Sequence, residues 1–459
     1  MRFQTLGNPV LEPDEQFYQM VGVQMKSGAM PFVDIFDRKP YGLFLFYYLI
    51  ASVFGTSALG YQLVVCAIVA ATVVLIFHAV VLQGIDRASA IAAGCAYIVW
   101  LGLMQGEGGQ AEVIYAPLVL GSALATQRAA QRSRDVDPAG FKAFGLLAML
   151  LIGIAIQIKY TVIIEGVFFG LWLTVAAFRQ TAGRAAKLAQ VAAFAATALA
   201  PTVVCAAGYL AAGHGHEFVF ANFQSIFGRN AETAENQIDG IIETGLILAA
   251  LTIAAGLAVL RPASCPRMFW IGWLVAAASS YILMRLYVTP HYAIPILLPL
   301  VIVAAPVMGE RKALVLLTVA AVISQFVLAS NIARKGTAKT LNSLAGVAGH
   351  RGSSCIYVHD GYSALYTATA SCLPTRWPFP PHLAFQIENA PSGLGVDPTT
   401  EIRRILASRP AVIYDRYPAD AGANLETRKI LDEALAAHYA LAAAEELPGG
   451  VKLRAFTRR

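Results

Sequence analysis

Between residues 60 and 330 the chain is an almost unbroken succession of apolar runs, each about 17 to 25 residues long, the length that carries a helix across bilayer hydrocarbon. They lie at 60–82, 88–104, 111–127, 142–158, 160–178, 188–212, 240–260, 268–286, 291–308 and 311–330. Backbone amides in lipid must be satisfied within their own segment, so each run is expected to be α-helical. The chain is therefore read as a polytopic α-helical membrane protein of about ten spans. Apolar residues make up 57% and charged residues only 14%, which excludes an ordinary soluble domain. The net charge of +6 is modest and its cations sit in short loops, so membrane lipid is an expected partner and nucleic acid is not.

Those cations orient the spans. Arg87, then Arg128, Arg132 and Arg134, then Arg179, Arg184 and Lys187, then Arg261 and Arg267, then Arg311 and Lys312 fall in every second loop, as cytoplasmic loops do. The intervening loops, the N-terminal stretch and the C-terminal tail are then expected to face outward from a bacterial inner membrane. Three segments follow: an outward loop with juxtamembrane helices over 1–59, a helical body over 60–330 and a small outward (periplasmic) α/β domain over 331–459. In that domain, strand-like runs occupy Ser354 to His359 and Ala411 to Asp415, and helix-like runs Thr399 to Ser408 and Leu425 to Ala443. Cys355 and Cys372 share the outward compartment, where a disulfide between them is plausible. Cys66, Cys95, Cys205 and Cys265 fit small buried apolar roles.

The stretch LEPDEQFYQMVGVQMKSGAMPFVDIFDRKP, Leu11 to Pro40, concentrates charge directly before the apolar body. An acidic pair, Asp14 and Glu15, opens a helix-like run, and Asp37, Arg38 and Lys39 close a Gly/Pro-punctuated turn. Acidic residues behind Pro13 also suit a helix N-terminus for purely local reasons. The run Tyr41 to Gly55 is short for a span and is expected to be a juxtamembrane or re-entrant helix packed on protein.

Taken with Gln110 to Glu112, Lys159 and the run PHYAIPILLP from Pro290 to Pro299, these motifs resemble the GT-C superfamily of membrane glycosyltransferases. The likeness is greatest to the bacterial branch related to protein O-mannosyltransferases and the lipid A aminoarabinose transferase. It implies inverting transfer of a sugar from a polyprenyl-phosphate donor to an acceptor at the outer face of the membrane. Asp14 matches the family's catalytic aspartate, the base that takes the acceptor proton, with Glu15 beside it as the second candidate. Lys39 matches the lysine on the donor phosphate, where leaving-group charge develops. Arg38 either shares that phosphate or reaches lipid headgroups, and Asp37 is placed to hold Lys39. Arg285, His291 and Tyr292 fall where family members bind donor phosphate. Lys159 joins them as a donor-phosphate candidate and Glu112 is a further cavity candidate, both ionisable residues at bilayer depth, though both also suit an interface facing water.

Members of that family deliver the acidic loop through a preceding span, whereas thirteen residues precede Asp14 here, so a span upstream of the numbered chain is expected. Weak representation of a second acidic pair favours a lipid or glycan acceptor over a protein. Glu107 is expected to be solvated. His214, His216 and Glu217 have metal-like spacing on a loop, but no metal and no cofactor is expected. Trp377, Phe379 and His382 either line a glycan site or belong to the core of the C-terminal domain. Two rival functions fit the same charges: a lipid-linked sugar transporter or flippase, and an inactive assembly protein of a surface-polysaccharide complex.

Overall fold

The computed structural model describes residues 2–261, 267–285, 289–349 and 355–459. Ser354, Cys265 and Leu286, which entered the sequence reading, lie outside the described residues. By its contacts the chain divides into two units that regroup the three segments read from sequence. One comprises Val64–Cys205 and Thr233–Leu328 with the extreme N-terminus. The other comprises Phe3–Leu63, Ala206–Glu232 and Ala329–Arg459, so the N-terminal stretch packs with the C-terminal domain as one unit.

Each of the ten expected spans falls on a helix. Among the described residues seven helices are long and apolar enough to cross a membrane: Ala58–Val81, Pro138–Ile156, Tyr160–Phe178, Arg184–Ala211, Ala234–Val259, Pro290–Met308 and Arg311–Ala348. Arg87–Leu103 and Met268–Leu283 are shorter apolar helices. Ala111–Arg134 carries Glu112 in its first turn and Arg132 and Arg134 in its last, which shortens its apolar centre.

Within the first unit Pro290–Met308 is the buried axis, flanked by Arg87–Leu103, Ala234–Val259 and Met268–Leu283. It tolerates Pro299 and Pro306 in its interior because neighbouring helices surround the carbonyls these prolines leave unbonded. Ala111–Arg134 and Pro138–Ile156 form a helical hairpin, closed by Ser122 donating to the Ala148 carbonyl at 2.9 Å. Asp137 caps the second of these helices by accepting from Gly140 N at 2.9 Å, with Pro138 at its first position. Outward faces are aliphatic: Val203, Val204 and Leu210 are 61%, 70% and 72% exposed, the surface that lipid covers. Cys95 lies exposed on such a face instead of buried as expected; a small apolar thiol suits hydrocarbon as well as a core.

In the second unit helix Pro13–Lys26 packs on helix Tyr41–Phe54, the short run read as juxtamembrane. At about 1.5 Å per residue its 14 residues extend about 21 Å, less than the ~30 Å of hydrocarbon. The two backbones touch at Gly22, where an added Cβ would lie 2.6 Å from the Tyr47 carbonyl carbon. The C-terminal sheet has order β1-β2-β4-β3, with β1 Ile356–Val358, β2 Val412–Tyr417, β3 Tyr439–Leu447 and β4 Val451–Arg458. β1 and β2 run parallel and the other neighbours antiparallel. The helix-like run Leu425 to Ala443 is corrected here: helix Leu425–His438 stops at His438 and the chain enters β3. Ala-rich sequence favours helix locally, but the turn signal Pro448-Gly449-Gly450 and pairing with β4 override it. Cys355 and Cys372 are joined in a disulfide.

Candidate active site

In the second unit, helix Pro13–Lys26 starts with proline at its first position and presents Asp14 and Glu15 in its first turn. Successive helical side chains diverge by about 100°, so the two acids enter different surroundings. Glu15 is fully buried near Tyr47 and Tyr61. Asp14 remains 30% exposed. One turn on, Tyr18 donates its hydroxyl to Asp14 Oδ2 at 3.1 Å. Lys39 Nζ stands 4.0 Å from that same oxygen and 5.7 Å from the Tyr18 ring centre. Asp14 and Lys39, near opposite ends of the thirty-residue stretch, are thus adjacent.

The turn that returns Lys39 to Asp14 is tightly specified. Asp34 Oδ2 accepts from Met30 N at 2.7 Å, Phe32 N donates to Ile35 O at 2.7 Å, and Phe32 takes a positive φ of 67°. A bulky residue in that region is strained, so surrounding packing must hold it: the Phe32 ring meets Phe44, Tyr209 and Phe218. Asp37 is 5% exposed and accepts from Arg38 N. Burial raises its pKa from the ordinary aspartate value, Lys39 opposes that rise and Asp14 adds to it, so the three charges sense one another.

Arg38 points elsewhere. Its guanidinium pairs with Glu388 and donates to the carbonyls of Glu388 at 3.2 Å and Gly393 at 3.1 Å, leaving the side chain 8% exposed. The phosphate and headgroup roles expected for it do not fit a guanidinium committed to the C-terminal segment. Of the three aromatic residues read as glycan-site or core, His382 is buried, whereas Trp377 and Phe379 are half-buried against Phe36 and Phe17. The Phe379 ring lies 4.7 Å from Phe17, and His382 lies 5.3 Å from Phe36 and is 1% exposed. Burial, with Arg38, Lys39 and Arg229 close by, holds His382 neutral, its pKa well below the usual value.

The first unit brings together four candidates far apart in sequence. Lys159 Nζ pairs with Glu112, their side chains 9% and 3% exposed, and lies 4.2 Å from the centre of the Tyr292 ring. His291 and Tyr292 rings stand 4.3 Å apart in the short 3-10 turn that opens the axial helix. Arg285 does not join them; it is exposed, at φ 50°. Glu107 is corrected from solvated to 4% exposed, in the turn whose Gly106 and Glu107 carbonyls accept from Arg2. His214 Nδ1 lies 3.8 Å from Glu217, whereas the His216 ring stacks on Phe220. Among the described residues no three His, Cys, Asp or Glu side chains group as metal ligands. Tyr18, Arg229 and Glu388 were not singled out from sequence. Only Tyr18 carried a signal, its i+4 spacing from Asp14.

The architecture defines a class: a polytopic α-helical membrane protein with an α/β C-terminal part. Among solved structures, the chain is similar to ArnT from Cupriavidus metallidurans, crystallised bound to undecaprenyl phosphate, with a TM-score of 0.64. That likeness covers 99% of this chain and 95% of that one at 14% identity, and at such identity it is a likeness of fold. No family model and no curated protein sequence matches the chain.

Proposed function

We propose that the chain is an inverting glycosyltransferase that moves a sugar from a polyprenyl-phosphate donor to a lipid or glycan hydroxyl at the outer face of a bacterial inner membrane. The observation that carries this reading is the pairing of Asp14 and Lys39 at 4.0 Å, a carboxylate and an ammonium side by side and both part-exposed, within a GT-C fold. The ArnT structure, which holds undecaprenyl phosphate, supports a lipid-phosphate donor.

The two groups suit the two ends of one displacement. Asp14 takes the proton of the acceptor hydroxyl as its oxygen bonds to the anomeric carbon. The bond from that carbon to the phosphate oxygen breaks on the opposite face, and the electron pair leaves with the lipid phosphate, whose growing charge Lys39 offsets. At 4.0 Å Lys39 Nζ is beyond hydrogen-bond reach of Asp14 Oδ2 but near enough for the two charges to attract. Tyr18 orients Asp14 through the hydrogen bond, and Asp37 steadies Lys39 by its charge. Glu15, buried among tyrosines, supports the helix in place of acting as base. In the first unit Lys159, held by Glu112, supports the Tyr292 and His291 turn.

Purified protein in lipid nanodiscs with a radiolabelled polyprenyl-phosphate sugar and an envelope-lipid extract tests the reading. Product should form with the native chain and be lost with Asp14→Asn and with Lys39→Ala, both inserted normally. Unchanged transfer in either variant overturns the assignment. Movement of labelled lipid between leaflets with no covalent product would show a flippase instead.

A further inference from the structure

The turn carrying Lys39 is fastened to two distant segments through one carboxylate. Glu388 pairs through Oε2 with Arg38 and through Oε1 with Arg229, so its two oxygens hold two guanidiniums. Arg38 adjoins Lys39, Arg229 belongs to the 206–232 segment, and Glu388 belongs to the C-terminal part. The same three segments meet again in backbone. Asn230 N donates to the Ile387 carbonyl at 3.2 Å, and Ser392 Oγ to the Gly228 carbonyl at 3.1 Å. A Cβ on Gly228 would lie 2.5 Å from Gly393 N, so these strands of chain are in direct contact. On the turn's other side, Phe36 N donates to the Arg376 carbonyl at 2.8 Å and the Arg376 side chain donates to the Phe32 carbonyl.

We propose that Glu388 is a positioning residue for the transfer reaction: by bridging Arg38 and Arg229 it sets the place of the Lys39 ammonium beside Asp14. This rests on the transferase reading for its consequence in catalysis, but its structural half stands alone. The carboxylate is suited to the task. Its side chain is 19% exposed against 8% for Arg38 and 31% for Arg229, so the bridge is shielded enough to be strong and has little water to replace it. Two guanidiniums cannot stay together at that depth without their shared counter-charge. Removing it pushes Arg38 away, and Lys39, the next residue, moves with it.

Two measurements on the full chain in nanodiscs test this. The first is the rate at which an amine-acylating reagent labels Lys39, read by peptide mass spectrometry against the exposed Lys452 as reference. Glu388→Gln should change the Lys39 rate severalfold and leave Lys452 unchanged. The second is the KM split of the transfer reaction. A displaced Lys39 raises the donor KM and leaves the acceptor KM alone, whereas a smaller folded fraction lowers kcat with both KM values unchanged. Arg229→Gln, at a more exposed position, should shift both readouts the same way, and the double variant should be no worse than Glu388→Gln alone. It also provides the result if Glu388→Gln does not fold. Unchanged Lys39 labelling and donor KM in a folded variant overturn the proposal. If the native protein shows no transfer at all, the transferase reading fails and the labelling alone decides the bridge.

Discussion

Two lysine–carboxylate pairs occur in this molecule, one in each unit, and they are built for different ends. Lys159 and Glu112 are in contact, their side chains 9% and 3% exposed, with Tyr292 over the ammonium. Lys39 and Asp14 stand 4.0 Å apart and are 23% and 30% exposed. A shielded pair holds firmly because neither charge has water to return to if its partner is lost. An open pair contributes little to stability, since solvent competes for both members, and for that reason either can exchange its partner for a substrate group. The proposed function assigns the first pair to support of the fold and the second to chemistry.

Breaking the shielded pair should give the largest change in stability. Lys159→Ala or Glu112→Ala leaves one buried charge uncompensated and is expected to cost about 3–5 kcal/mol, read as a large fall in melting temperature in detergent. Glu112→Leu with Lys159→Met should recover most of that loss, because the pair itself stabilises weakly against apolar side chains of similar volume. A double variant as unstable as the singles would break the comparison. At the open pair the pattern should reverse. Asp14→Asn is expected to lower transfer by about 10²–10⁴-fold, the usual contribution of a general base. Its stability should change by less than about 1 kcal/mol. A collapse of melting temperature in Asp14→Asn would place that pair with the structural one.

A smaller effect tests Asp37. Burial holds its carboxyl above its unfolded value. As pH rises past about 4 the unfolded chain releases this proton before the folded chain does, which favours unfolding until the folded pKa is passed. Asp37→Asn removes that loss, so the variant should melt higher than the native chain at neutral pH, with the gap closing below about pH 4. A gap of the same size at acid pH would show that the gain has another origin. The smallest change is expected from Arg285→Ala, an exposed site where substitution should alter stability by less than about 0.5 kcal/mol.

Much of the fold was legible before any coordinates. Apolar runs of spanning length have one stable answer in lipid, and all ten landed on helices; Pro13 ahead of two acids marked a helix start, and the short run 41–55 proved a 14-residue helix. Local chemistry dictates such features, because helix formation and capping depend on residues within a turn or two. Where nonlocal pairing competes with propensity the reading failed, as at Tyr439–Leu447, an Ala-rich segment drawn into a strand by its hairpin partner.

The site divides along the same line. Residue type alone marked Asp14, Lys39, Glu112 and Lys159 as unusual beside so much apolar sequence. Which carboxylate meets which cation was decided only by tertiary structure. Asp14 reaches Lys39 across 25 residues and Glu112 reaches Lys159 across 47, while Arg38 turns away from Lys39 to an acid 350 residues on. Adjacent residues in a turn point in different directions, and a charge pair depends on the last few ångströms of approach, which only packing among distant segments supplies.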